Sequence, residues 1–188
     1  MRFTKNVMNS KFKQNRRHKC EKKGFYVGRL AKTQAKSLSL RLNFNTFQMK
    51  IKFLGAAGEV TGSKHLITTK SGKKILLDCG SFQGKGLETD ALNRQPGVDA
   101  AGIDHIILTH AHIDHSGLIP MFYRNGFRGS VVCTHATRDL CAIMLADSGF
   151  IQEHDTVWFN KKRARQGLPP VEPLYTQQDA VNCMELFI

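Results

Sequence analysis

Ile103-Asp-His-Ile-Ile-Leu-Thr-His110-Ala-His112-Ile-Asp114-His115 runs an apolar stretch straight into four side chains of metal-ligand type. Residues 103–109 read as a largely buried strand. Imidazole nitrogen and carboxylate oxygen hold zinc at about 2.0–2.2 Å. On extended backbone, residues two apart point the same way, so His110 and His112 can grip one ion together. A turn after them lets Asp114 and His115 face a second ion. Two metals roughly 3.5–4 Å apart can clamp both sides of a displacement at phosphorus or carbonyl and bring the pKa of bound water toward about 7. Asp114 is then placed to orient that water. The competing reading, a polar loop whose histidines merely cap a strand end, leaves the H-x-H-x-D-H spacing unexplained.

Before this cluster, residues 49–54, 64–69 and 74–79 read as three strands, with Lys70-Ser-Gly-Lys73 as a hairpin turn and a glycine-bearing loop over 55–62. After it, residues 117–125 predict a helix, 129–134 a strand, and 136 to about 153 a long helix. Leu140, Ile143, Met144, Phe150 and Ile151 predict the buried face of that helix. Pro169-Pro170 breaks the chain. Thr176, with Asp179 three residues on, has the form of a capping box opening a last helix that runs to Ile188. The order β-β-β-β-α-β-α, without internal repeat, predicts an α/β layered fold.

The chain has 188 residues and a formal charge of +13, a length that suits one domain with an appendage. Residues 1–48 carry 13 Lys and Arg against the single acid Glu21, a local charge of +12, so residues 49–188 are left with only +1. The basic character therefore belongs to the leader and says little about the body. Rich in Lys, Arg, Asn, Gln and Ser, the leader predicts disorder. It reads as a start-site extension before Met49, as a basic arm for RNA phosphates, or as a transit peptide. Cys20, Cys79, Cys133, Cys141 and Cys183 form no C-x-x-C pair, so a zinc ribbon is unsupported. Their odd number and the lack of a secretory segment predict a reducing, cytoplasmic setting. No apolar run approaches the ~18 residues of a membrane helix.

His110-Ala-His-Ile-Asp-His115 resembles the signature motif of the metallo-β-lactamase superfamily, and Ile75-Leu-Leu-Asp78-Cys-Gly80 is similar to its earlier aspartate motif. The resemblance implies the N-terminal half of an αββα sandwich and two Zn2+ ions, one on His110 and His112, the other on Asp114 and His115. It casts Asp78 as a residue that hydrogen-bonds the metal loop, and Asp114 and Asp78 as the catalytic carboxylates. Phe53-Leu-Gly-Ala-Ala-Gly-Glu-Val-Thr-Gly62, Asp114-His-Ser-Gly-Leu-Ile-Pro120, Gly126-Phe-Arg-Gly129 and Thr134-His-Ala-Thr-Arg-Asp-Leu140 resemble the β-CASP group of RNA-processing nucleases. The resemblance covers residues 49–188. Its later histidine and bridging aspartate have no match before Ile188. Residues 49–188 are therefore expected to be the N-terminal part of the domain, truncated before the remaining metal motifs and inactive alone.

The expected function is a two-zinc ribonuclease or phosphodiesterase acting on single-stranded RNA through metal-activated water, with no membrane partner and with homo-oligomerisation left open. Two rivals stand beside it: another hydrolase of the superfamily, glyoxalase- or lactamase-like, and a non-catalytic truncated module that binds RNA through its leader. His65, His105, His135 and His154 read as structural or surface residues. Lys161-Lys-Arg-Ala-Arg165 reads as a solvated loop or an RNA contact, and Gly55, Gly58 and Gly62 as a simple inter-strand loop.

Overall fold

The alternating segment that begins at Met49 and the short β-branched and apolar runs over 64–69 and 74–79 form the first three strands. The computed structural model describes residues 49–84 and 87–188; the expectations for the leader, residues 1–48, lie outside the described residues. The strands are β1 (Lys50–Phe53), β2 (His65–Thr68), β3 (Lys74–Leu77), β4 (His105–Ile107) and β5 (Ser130–Val132). They form one sheet in sequence order. β1, β2 and β3 pair antiparallel, with Ile51 opposite Ile67 and Ile67 opposite Ile75. β3, β4 and β5 pair parallel, with Leu76 opposite Ile106 and Ile106 opposite Val131. The expected turn over 70–73 is present, closed by Thr69 N donating to Lys73 O at 2.9 Å. Gly72 there sits at φ +83°, a conformation that glycine takes without strain.

The helices are α1 (Leu87–Arg94), α2 (Ile113–Ser116), α3 (Ile119–Arg124), α4 (His135–Arg165) and α5 (Gln177–Cys183). One face of the sheet, with Leu76, Ile106 and Val131 fully buried, joins Leu118, Ile119, Phe122, Phe127, Leu145 and Tyr175 in the core. The other face carries Ile51, Phe53, Ile107 and Val132, all exposed to solvent. Among the described residues a helix layer thus covers one face of the sheet, and the second face carries these exposed apolar side chains.

Four expectations change. The helix α1 was not foreseen, because eight residues with few apolar positions give almost no period to read. Helix α4 runs to Arg165, so Lys161–Arg165 form its last turns rather than a loop. No Gly or Pro interrupts 154–165, and a basic C-terminal turn complements the helix dipole. The face of α4 is also different: it packs through Thr137, Cys141, Leu145 and Gly149, whereas Leu140, Ile143, Phe150 and Ile151 are exposed. Gly149 explains the choice. A Cβ there would lie 2.8 Å from the Gln177 backbone, so α4 and α5 approach too closely for large side chains. Last, the final helix ends at Cys183, and Phe187 then forms an isolated parallel bridge with Val131 beside β5. The capping box is as expected: Thr176 Oγ1 accepts from Asp179 N at 3.1 Å, and Asp179 Oδ2 accepts from Thr176 N at 2.9 Å.

Cys79, Cys141 and Cys183 are buried and free. Burial pushes the Cys141 thiol up to about 11 and the Cys183 thiol up to about 12. At pH 8, iodoacetamide is therefore expected to leave these three unmodified in the folded chain, as read by peptide mass spectrometry. Above pH 9 the unfolded thiols ionise while the folded ones keep their protons, so stability is whole below pH 9 and falls between pH 9 and about 12. A melting temperature flat over that range would contradict this.

Candidate metal centre

Parallel strands deliver their C-terminal loops to one edge of a sheet, and ligands collect there. Here that edge receives Asp78 from the end of β3 and the 108–112 segment from the end of β4. Asp78 N donates to Ile107 O at 2.9 Å, which extends the ladder by one step. The chain then turns through the one-turn helix α2, with His112 at its N-cap. A four-residue helix satisfies few of its own carbonyls; here Gly117 N, at the C-cap, donates to Ile113 O at 2.8 Å. Neighbouring loops supply the rest: Ser63 N donates to Asp114 O at 2.8 Å and Cys79 N to His115 O at 2.7 Å, and Ser81 N adds a second bond to Ile113 O at 3.1 Å.

This framework brings the four expected donors together. The rings of His110 and His112 lie 4.7 Å apart, and those of His110 and His115 4.0 Å apart, centre to centre. Asp114 Oδ2 is 3.6 Å from His115 Nε2. Among the described residues, no group of three or more His, Cys, Asp or Glu side chains is arranged to hold one ion.

Asp78 organises the cluster from below. It is 3% exposed and sits at φ +58°, a left-handed conformation uncommon for a residue with a Cβ. Its Oδ1 accepts from Thr109 N at 2.9 Å and from Thr109 Oγ1 at 2.8 Å. Its Oδ2 accepts from Ser63 Oγ at 3.0 Å and lies 2.8 Å from His115 Nδ1. Burial alone would push this carboxyl up, but hydrogen bonds from Thr109, His115 and Ser63 outweigh it and hold the group below the usual carboxylate value.

Two histidine tautomers follow. An ionised Asp78 can only accept, so His115 Nδ1 carries the hydrogen and Nε2 presents its lone pair. Thr109 has given its one hydroxyl hydrogen to Asp78, so at 3.0 Å it accepts from His110 Nδ1, and Nε2 of His110 is likewise left with a lone pair. Both are the forms that bind a cation, so the donor chemistry fits divalent metal.

The sequence pattern of the metallo-β-lactamase superfamily matches residues 58–168. The chain belongs to the metallo-β-lactamase superfamily. It is 42% identical over 127 residues to ribonuclease TTHA0252 of Thermus thermophilus, covering 67% of this chain and 28% of that protein. It is 41% identical over 101 residues to cleavage and polyadenylation specificity factor 73 of Drosophila melanogaster, covering 53% and 14%. It is 37% identical over 100 residues to transcription termination factor FttA of Methanosarcina mazei, covering 53% and 16%. The chain thus spans less than a third of the length of each of these relatives. By their names these relatives are a ribonuclease, a cleavage and polyadenylation factor and a transcription termination factor, and the chain's flanking motifs resemble the β-CASP group of the superfamily.

The remaining candidates lie apart from the superfamily's donor cluster. His105 is exposed in β4, His135 opens α4 at the surface, and His154 is exposed farther along α4. His65 packs edge-on against Phe53, 5.3 Å between ring centres. Gly55 touches the Gly62 carbonyl so closely that a Cβ would stand 1.9 Å from it, which closes the 55–62 loop on itself. Thr109, Ser63 and Gly80 were not singled out from the sequence. Only their adjacency to the motif residues pointed to them. Among the described residues no helix is long and apolar enough to cross a membrane.

Proposed function

We propose that this chain carries the metal-binding half of a two-zinc, β-CASP-type nuclease centre that hydrolyses single-stranded RNA. One observation carries the proposal: Asp78 and Thr109 hold His115 and His110 with their Nε2 lone pairs free, beside His112 and Asp114. His110 and His112 would hold one ion, and Asp114 and His115 the other. Divalent metal bound there supplies an activated water near neutral pH and offsets charge on a phosphate. The chain's own residues do the rest. Asp114, whose side chain is partly exposed, would orient a water there and take up its proton. Asp78 keeps the His115 imidazole turned and its Nδ1 hydrogen in place. With four donors for two ions that each want four or five, hydrolysis requires further ligands, and the chain alone binds metal without turnover. The RNA-processing names of the relatives favour RNA over the thioester or β-lactam substrates of other branches.

The test combines metal analysis with cleavage. Zinc, manganese and iron are measured in the purified chain, and a 5′-labelled single-stranded RNA is incubated with the chain joined to a segment bearing a further histidine and aspartate. Bound metal, with cleavage that chelator stops and His112→Ala abolishes, is expected. Metal-free protein with residues 110–115 intact would end this reading. RNA binding that survives His112→Ala and disappears on deleting residues 1–48 would replace it with the non-catalytic module.

A further inference from the structure

Lys64 carries a cation into the interior, where no carboxylate pairs with it among the described residues. Its exposure is 0%. Nζ donates to Gly62 O at 3.1 Å and to Gly80 O at 2.8 Å, and it stands 4.3 Å from the centre of the Phe82 ring. Three N–H groups thus meet two carbonyls and one π face. Phe82 is itself fixed: its N donates to Asn93 Oδ1 at 2.8 Å, and its O accepts from Asn93 Nδ2 at 3.0 Å. Burial pulls the ammonium down, and the opposing influence comes from Cys79. The thiol of Cys79 is pushed far up by its own burial, so it offers no anion at neutral pH.

An unpaired buried charge is expensive, and an apolar side chain of similar length would fill the same space without that cost. What the ammonium adds is a link between two carbonyls that otherwise repel. Those carbonyls belong to the two loops on which α2 rests. Ser63, next to Gly62, donates its N–H to Asp114 O and its hydroxyl to Asp78 Oδ2. Gly80 receives Asp114 against its bare Cα and donates its own N–H to Ser63 O at 2.9 Å.

We propose that Lys64 is a positioning residue for the metal loop: its ammonium ties the Gly62 and Gly80 carbonyls into one platform that sets Asp114 and His115 against Asp78. The proposal rests on the reading of His110, His112, Asp114 and His115 as a metal site, and its test separates the two. Co2+ is titrated into the full 188-residue chain and followed by its visible absorption, for wild type, Lys64→Met, Lys64→Gln and the core control Leu145→Ala. Lys64→Met is expected to bind Co2+ about tenfold more weakly, with a changed spectrum, the usual effect of removing support behind a ligand. Lys64→Gln, which keeps amide donors on a shorter stem, is expected to fall between. Leu145→Ala, less stable but touching neither the Gly62 nor the Gly80 carbonyl, is expected to keep wild-type affinity and spectrum. A folded Lys64→Met with wild-type affinity and spectrum overturns the proposal alone, and so does an equal weakening in Leu145→Ala. A wild-type chain that takes no Co2+ overturns the metal reading and this proposal with it. Should both Lys64 variants fail to fold, hydrogen exchange on the wild type decides. The amides of Ser63, Cys79, Gly80 and Ser81 exchanging together, as slowly as that of Leu76, support the platform; earlier opening of any of them overturns it.

Discussion

Gly80→Ala is expected to destroy metal binding, lowering zinc affinity more than 100-fold, and to destabilise the fold by about 3 kcal/mol. The cause is spatial. A Cβ at residue 80 would lie 1.7 Å from Asp114 O, 2.2 Å from its carbonyl carbon and 2.7 Å from His115 N. These are backbone atoms, so no rotamer change relieves the overlap, and α2 must leave its place over Cys79 and Ser81. Each of the bonds from Ser63 N, Cys79 N and Ser81 N to that helix then stretches, which exposes unpaired carbonyls in a partly buried setting. Gly102→Ala is the matched control. The nearest atoms to its Cβ would be the ends of Lys74 and Asp99, at 3.5 and 3.6 Å, and a near-neutral result is expected. Isothermal titration with Zn2+ and thermal melts on the two variants check the pair. A Gly80→Ala protein that binds zinc as wild type would show that the loop does not rest where described.

Asp78→Asn is expected to weaken metal binding 10- to 100-fold and to destabilise the fold by about 2 kcal/mol. The substitution keeps shape, and asparagine accepts the left-handed backbone at φ +58°. Chemistry is what changes. Each carboxylate oxygen faces two donors, so the new NH2 meets hydrogens whichever way the amide turns. The side toward Thr109 is the worse choice, because a backbone N–H cannot reverse its role. The NH2 therefore turns toward His115, which must move its hydrogen to Nε2 to offer a lone pair at Nδ1. That is the form that cannot bind an ion through Nε2. Nitrogen NMR of the His115 ring reads the tautomer directly, and an unchanged Nδ1–H signal would refute the account. Acid should act alike on the wild type. A carboxyl held low contributes stability above its unfolded value, and that contribution disappears as pH falls through the folded one.

Sequence carried the donors and the sheet because both are local. Alternation over 49–54 needs only a period of two, the runs over 64–69 and 74–79 are short and bounded by turns, and the Thr176–Asp179 box spans four residues. Helix α4 shows where that locality ends. Apolar residues occur on both of its sides, and the buried side was chosen by the close approach of α5 at Gly149, a fact of a distant segment. The Asp78 network is illegible for a similar reason. Ser63, Asp78, Thr109 and His115 come from four segments, and the register of β3 against β4 alone brings Thr109 above Asp78. Lys64 was passed over because a lysine in a strand pattern is normally at the surface.

The bare side of the sheet has a bearing on how the protein handles heat. Ile51, Phe53, Ile107 and Val132 present oily side chains directly to water, and aversion to water grows as a solution warms from the cold. Moderate warming should thus make these chains stickier toward one another through that face, which light scattering against temperature reads. Preparation in the cold, at low concentration, follows from the shape of one β-layer.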